Sequence, residues 1–295
     1  MIISIDLAGT LYNKEPTQPW GQFFRPNSDG KPHISGLALE QLFTLADQGH
    51  QILFNTTGLD GFGTKNLRED LANYFLNTYG GMSARNAQKV EELLGNMYLA
   101  TNRGNRVSKL GLDKSGKITQ KTVAERRISA EDMQKIIKAL GKAYPEVEII
   151  KPLLKDGAEK PQGTNDLASG HVGLLILKDP TPENFDKVKE VVSKLGFAQI
   201  IAPEDDAYFV GKDTGKEMAA ISLAKHLGVT KKNVLHIGDG KEDVMKEINN
   251  VLIDKPSVAE AKKPKVKNVE TALQKVIEHS KPAKTNDKAP TSTKS

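Results

Sequence analysis

The sequence predicts an α/β protein: a parallel-sheet core interrupted by an inserted α+β module. Three observations carry that expectation. Near the N-terminus a short β-rich run, a helix-spaced apolar segment and a second β-rich run follow one another, with polar residues at both strand ends. That is the pattern of a βαβ unit, which implies parallel strands and a right-handed crossover. From about residue 107 the texture changes to short β segments mixed with helices, and from residue 215 the βα alternation returns. The chain has 295 residues, 38% hydrophobic and 27% charged, enough to bury a sizeable core and too apolar for a wholly disordered protein.

Taken in order, Ile2-Ile3-Ser4-Ile5 reads as the first strand, stopping at Asp6 and a Gly-Thr turn. Residues 13–36 form a polar loop rich in Pro and Gly, whose Trp20, Phe23 and Phe24 either cover a site as a flap or pack the loop down. Leu37, Leu39, Leu42, Phe43 and Leu45 recur at helical spacing up to Gly49. A buried-type strand over 51–55 follows and ends at Thr56-Thr57-Gly58; helices are expected over 67–75 and 84–94, and a third strand over 97–100. In the next stretch Gly111-Leu112-Asp113-Lys114-Ser115-Gly116 predicts a hairpin turn. Ser129, with Asp132 three residues on, opens a helix to 140 through something close to a capping box. Strands over 147–150, 171–178 and 197–201 and a helix over 184–195 complete the module. An amphipathic helix over 215–227, a strand over 233–237, a turn over 238–243 and a strand over 251–253 return to the core pattern. Residues 280–295 hold Lys, Pro, Thr, Ser and Asn with almost nothing to bury, which predicts a disordered tail.

The net charge of +5 invites a nucleic-acid reading, but from Lys255 onward ten lysines face four acids, a surplus of six, leaving about −1 for residues 1–254. A basic face within the fold is therefore not expected, and neither is nucleic-acid binding. No apolar run approaches the roughly 18–20 residues of a membrane span. Cysteine is absent, removing disulfides, thiolate metal sites and cysteine nucleophiles. With no secretory signal in the opening residues, the expected location is cytoplasmic.

Open parallel sheets bind ligands at the carboxyl ends of their strands. Three strand ends carry polar residues: Asp6, Thr57, and Asp239 with Asp243, while Lys216 opens the helix leading into the last of these strands. Carboxylates converging from different strands suit Mg²⁺. Thr57 offers a hydroxyl and N–H groups to phosphate, Lys216 a point charge, and Asp6 a nucleophilic carboxylate. Each also has a plain structural reading: Asp6 or Thr57 as a cap, Lys216 as a solvated first-turn residue, Asp243 as a first-turn acid. His236 reads as a satisfied core histidine, and Lys262, Lys263, Lys265 and Lys267 as a solvated face.

Four stretches in order resemble the haloacid-dehalogenase (HAD) superfamily. They are Asp6-Leu7-Ala8-Gly9-Thr10 after Ile2-Ile3-Ser4-Ile5, Asn55-Thr56-Thr57-Gly58, Lys216 after Thr214-Gly215, and Gly238-Asp239-Gly240-Lys241-Glu242-Asp243 after a strand. The resemblance implies a Rossmann-like HAD core over 1–120 and 206–280 and an inserted C2-type cap over 121–205, as in Cof-like and sucrose-phosphatase-like proteins, followed by the tail at 281–295. It also implies Asp6 as the nucleophile that carries an aspartyl-phosphate, with Thr57, Gly58 and Lys216 on the substrate phosphate. Mg²⁺ would be held by Asp6, the carbonyl of Ala8 and Asp239, with Asp243 in or near its shell.

Three positions depart from the family pattern: Ala8 replaces the acid/base aspartate, Leu59 a frequent arginine and Glu242 a frequent asparagine. Alanine at this position also occurs in phosphonoacetaldehyde hydrolases, but the interval holding Lys14 and Lys31 is too short for their cap. General acid–base groups contribute about 10²–10⁴ in rate, roughly 3–5 kcal/mol of barrier. The expected function is a Mg²⁺-dependent phosphohydrolase or phosphotransferase on a small phosphorylated metabolite, impaired or altered by Ala8. The alternative is an inactive HAD fold that binds a phosphorylated ligand or a protein partner.

Overall fold

Period-two alternation in the first strand sets the two faces of the molecule. In β1 (Ile2–Asp6) every residue is buried. Ile3 and Ile5 join one core cluster while Ile2 joins another, and Ser4 and Asp6 follow Ile2 onto that second face. A strand buried on both faces belongs at the centre of a parallel sheet. Here β1 pairs in parallel with β2 (Gln51–Asn55) on one side and β12 (Val234–Gly238) on the other.

The computed structural model describes residues 1–12, 34–56, 62–79, 84–102, 104–155, 169–201, 207–211 and 215–280. Between β1 and β2 runs α1 (Gly36–Asp47), and after β2 come α2 (Phe62–Tyr79), α3 (Ala84–Leu94), β3 (Met97–Thr101), β4 (Arg106–Leu112) and β5 (Ile118–Glu125). Next follow β6 (Ile128–Ser129), α4 (Ala130–Ala143), β7 (Ile149–Lys155), β8 (Ser169–Gly170), β9 (Val172–Leu177), α5 (Pro182–Lys194), β10 (Ala198–Ile201) and β11 (Ala207–Gly211). The chain continues through α6 (Lys216–His226), β12, β13 (Asn249–Ile253), β14 (Lys265–Val266) and α7 (Val269–Ser280).

The large sheet has the order β14-β13-β12-β1-β2-β3-β4-β5. Its first six strands are parallel, and the β4–β5 hairpin extends it antiparallel. The second sheet, β10-β11-β9-β7, is antiparallel. It shares a core with α4 and α5 through Ile136, Leu140, Leu175, Val188 and Val192. Asn105 Nδ2 donates to His171 O at 2.7 Å, and Arg126 Nη2 donates to Met218 O in the first turn of α6 at 2.8 Å.

The predicted strands over 51–55, 97–100, 233–237 and 251–253 are present, as are the helices opening at 84 and 130. The hairpin at 113–116 is also present, but its strands join the large sheet because β4 pairs with β3. A division at 120/121 therefore cuts β5, and one at 205/206 precedes β11 of the second sheet. Local alternation predicts a hairpin without saying which sheet edge it extends. The sequence reading places no element over 265–280, yet α7 buries Val269, Ala272, Leu273, Val276 and Ile277 against the core that contains α1. Those positions follow a regular 3–4 spacing that the surrounding lysines obscure. Residues 281–295, expected as a tail, and Trp20, Phe23, Phe24, Lys14 and Lys31 lie outside the described residues. No described helix is long and apolar enough to cross a membrane.

Helix α4 carries a complete capping box: Asp132 N donates to Ser129 Oγ at 3.1 Å and Ser129 N to Asp132 Oδ2 at 3.0 Å. Ser129→Ala should cost about 1 kcal/mol, read as a lower urea midpoint at unchanged slope.

Candidate active site

Three adjacent strands present polar residues on the face covered by α6. In β1 these are Ser4 and Asp6; in register beside them stand His236 of β12, opposite Ser4, and Asn55 of β2, opposite Asp6. The chain leaves β1 for a helix that leads to β2 on one side, while β12 flanks the other, so the C-terminal ends of β1 and β12 meet where strand order reverses. Helix α6 packs Ala219, Ala220 and Leu223 on this face beside Ile2, Leu53 and Val234, bringing Lys216 in its first turn over the strand ends.

Lys216 is buried, and its Nζ lies 2.8 Å from Asp6 Oδ1 and 2.7 Å from Asp243 Oδ1. An ammonium at a helix N-terminus opposes the helix dipole, so it requires these carboxylates. Asp243 accepts from four donors. Asp239 N and Gly240 N reach Oδ2 at 3.0 and 2.8 Å, and Lys216 Nζ and His236 Nε2 reach Oδ1. Burial would raise the Asp243 carboxyl, but the hydrogen bond from His236 and the charge of Lys216 outweigh it and hold the group below the usual carboxylate range. Burial lowers His236, keeping it neutral. A carboxylate only accepts, so Nε2–H donates to Asp243 and Nδ1 accepts from the Ser4 hydroxyl at 2.9 Å. Asn55 Nδ2 then donates to Ser4 Oγ at 3.0 Å and to Lys216 O at 2.7 Å.

Asp239 sits on the open side of the hollow. Its Oδ1 accepts from Thr10 Oγ1 at 3.1 Å and its Oδ2 from Lys255 Nζ at 2.7 Å; Lys255 Nζ also donates to Gly9 O. The loop after β1 closes through Tyr12 N to Leu7 O at 2.9 Å. Gly9 there has φ +86°, and a Cβ at this position would lie 2.4 Å from Asp239 Oδ2. At Gly238 a Cβ would lie 2.2 Å from Asp243 Cγ. Both glycines let backbone approach carboxylate more closely than any side chain permits.

One oxygen from each of Asp6, Asp239 and Asp243 falls within 4.8 Å of the other two. An all-oxygen set with this charge fits a hard divalent cation such as Mg²⁺. Asp6 and Asp239 are the ligands this geometry offers best, because both Asp243 oxygens already accept two protein hydrogen bonds each. Burial raises Asp6 well above the usual carboxylate range; Lys216 opposes the rise, and Asp243 and Asp239 add to it.

No protein-family model and no curated protein sequence matches the chain. Among solved structures, trehalose-6-phosphate phosphatase of Aspergillus fumigatus aligns over 95% of this chain and 92% of its own at a TM-score of 0.52 and 9% identity. N-terminal truncated IMP-nucleotidase of Plasmodium falciparum aligns over 94% of this chain and 70% of its own (TM-score 0.51, 12% identity). A Plasmodium vivax protein described as a HAD/COF-like hydrolase aligns over 94% and 95% (TM-score 0.50, 14% identity). The chain has the HAD fold.

In this HAD fold Asp6, Lys216, Asp239 and Asp243 come together, and Ala8 lies half-buried in the loop after β1. Thr57 and Gly58, with Leu59, lie outside the described residues. His236 is a satisfied core histidine, and it is also the group that orients Asp243. Sequence reasoning missed Ser4, Thr10, Asn55 and Lys255. A lone serine and a terminal asparagine in otherwise apolar strands were visible signals of buried polar contact, whereas nothing local distinguishes Lys255 from its neighbouring lysines.

The two buried carboxylates have opposite linkage. Asp6, with a raised value, binds more protons folded than unfolded, so it lowers the stability of the metal-free protein as pH rises above about 4. Asp6→Asn should therefore raise the melting temperature at neutral pH in EDTA. Asp243, with a depressed value, contributes stability present above about pH 4 and lost as pH falls further. Asp243→Asn should cost about 3 kcal/mol in urea denaturation at pH 7, because it removes the buried charged acceptor shared by Lys216, His236 and two backbone N–H groups.

Proposed function

We propose that the chain is a Mg²⁺-dependent phosphohydrolase or phosphotransferase acting on a small phosphorylated metabolite through an aspartyl-phosphate on Asp6. The observation that carries this reading is the convergence of Asp6, Asp239, Asp243 and Lys216 at the ends of two adjacent parallel strands. The names of two structural neighbours, an IMP-nucleotidase and a trehalose-6-phosphate phosphatase, agree with a phosphorylated small-molecule substrate. We assign the second sheet with α4 and α5 as the cap that selects it.

In this scheme an Asp6 oxygen attacks phosphorus, the ester P–O bond breaks, and the phosphoryl group passes to the carboxylate. Lys216 offsets charge on the phosphoryl oxygens and, with its second partner Asp243, stays fixed as Asp6 changes from carboxylate to acyl phosphate. Asp243 is itself held by His236 and two N–H groups, so the ammonium has a rigid support. Thr57 and Gly58 bind the phosphate. Asp6, Asp239 and the Ala8 carbonyl would hold Mg²⁺, which would supply positive charge against the phosphoryl oxygens. Proton transfer lacks the aspartate that the family pattern places at position 8: Ala8 cannot protonate the leaving oxygen or activate water against the acyl phosphate. Slow turnover, or a leaving group that departs unprotonated, follows. The same alanine favours a second reading, a HAD fold that binds phosphate esters without turning them over.

Phosphate release from a panel of sugar, nucleotide and aryl phosphates should require Mg²⁺, fall to background in EDTA and vanish in Asp6→Asn. No such release from any member refutes the enzyme reading. Ala8→Asp should raise turnover about 10²–10⁴-fold; activity confined to that variant establishes the binding reading instead.

A further inference from the structure

The acidic hollow contains a second ammonium that the proposed chemistry does not use. Lys255 follows β13, and its Nζ reaches across to Asp239 Oδ2 and to the Gly9 carbonyl. With Thr10 on Oδ1, both Asp239 oxygens are engaged, one by a full positive charge. Three carboxylates thus face two ammoniums, Lys216 and Lys255.

The two lysines are held differently. The Lys216 side chain is 2% exposed and lies between two buried carboxylates; that of Lys255 is 34% exposed. Around Lys255 the main chain is pinned by Asp254 N to Val266 O at 2.8 Å and Val258 N to Lys255 O at 3.0 Å. The stem therefore has a fixed root, while the head sits at the solvent side on four rotatable carbons.

We propose that Lys255 is a tethered cation competing with divalent metal for Asp239, so that metal enters by displacing its ammonium. The inference rests on the metal site of the proposed function and adds an internal competitor to it. A metal ion on Asp239 would share that carboxylate with the ammonium, and because the two positive charges repel, binding is favoured when the ammonium withdraws. The lysine thereby stabilises the metal-free hollow and weakens the metal's apparent affinity.

Calorimetric titration of MgCl₂ into the full-length wild type and Lys255→Met, with Lys255→Gln as a second uncharged variant, tests this. About tenfold tighter Mg²⁺ binding is expected in both variants, equivalent to ~1.4 kcal/mol. A lower melting temperature in EDTA and a larger Mg²⁺-induced rise should accompany it. Equal or weaker binding than wild type overturns the inference and leaves the proposed function standing. Binding in the variants but not in the wild type supports the inference and removes Mg²⁺-dependent turnover from the natural protein. No binding by any of the three overturns both.

Discussion

One ammonium organises the candidate site. Lys216 Nζ is shared between Asp6 and Asp243, at 2.8 and 2.7 Å, with almost no solvent access. The ammonium lowers the cost of a charge on either carboxylate, and at that depth it needs a carboxylate partner itself. The three residues come from β1, the first turn of α6 and the turn after β12, so the interaction requires the parallel sheet to place two strand ends side by side. It also requires α6 to pack closely, which its Ala219, Ala220 and Leu223 face permits. The chain Asn55–Ser4–His236–Asp243 carries the same constraint behind the hollow through three hydrogen bonds of matched polarity.

Opposing environments separate the carboxylates by role. Asp243 is saturated with donors and charged at low cost, as suits a support. Asp6 has fewer donors among the described residues and carries its charge at a higher cost, in line with the nucleophile proposed for it. A side chain that weakens the fold it belongs to is expected where selection acts on chemistry.

Much of this was legible in the sequence because strand ends in a parallel sheet are marked by abrupt changes from apolar to polar residues. Asp6 after Ile2-Ile3-Ser4-Ile5 and Asp239 after His236-Ile237-Gly238 are such changes, and Lys216 opens the helix leading into the second of these strands. What escaped the reading depends on distance through space. The β4–β5 hairpin could have joined either sheet until β4 was seen beside β3. Lys255 lies 246 residues from Gly9, and only the parallel addition of β13 to β12 carries it to the same edge of the hollow. Helix α7 was readable from its spacing alone, and its lysine-rich surroundings drew attention to charge instead of period.

The bond from Arg126 to Met218 O has a mechanical corollary. Arg126 lies where the chain leaves the large sheet for the second module, and β11 ends at Gly211, only a few residues before α6 begins. The entry to the module is thus hydrogen-bonded to the helical turn that carries Lys216. Any displacement of that arginine would therefore act on the turn that also carries Lys216.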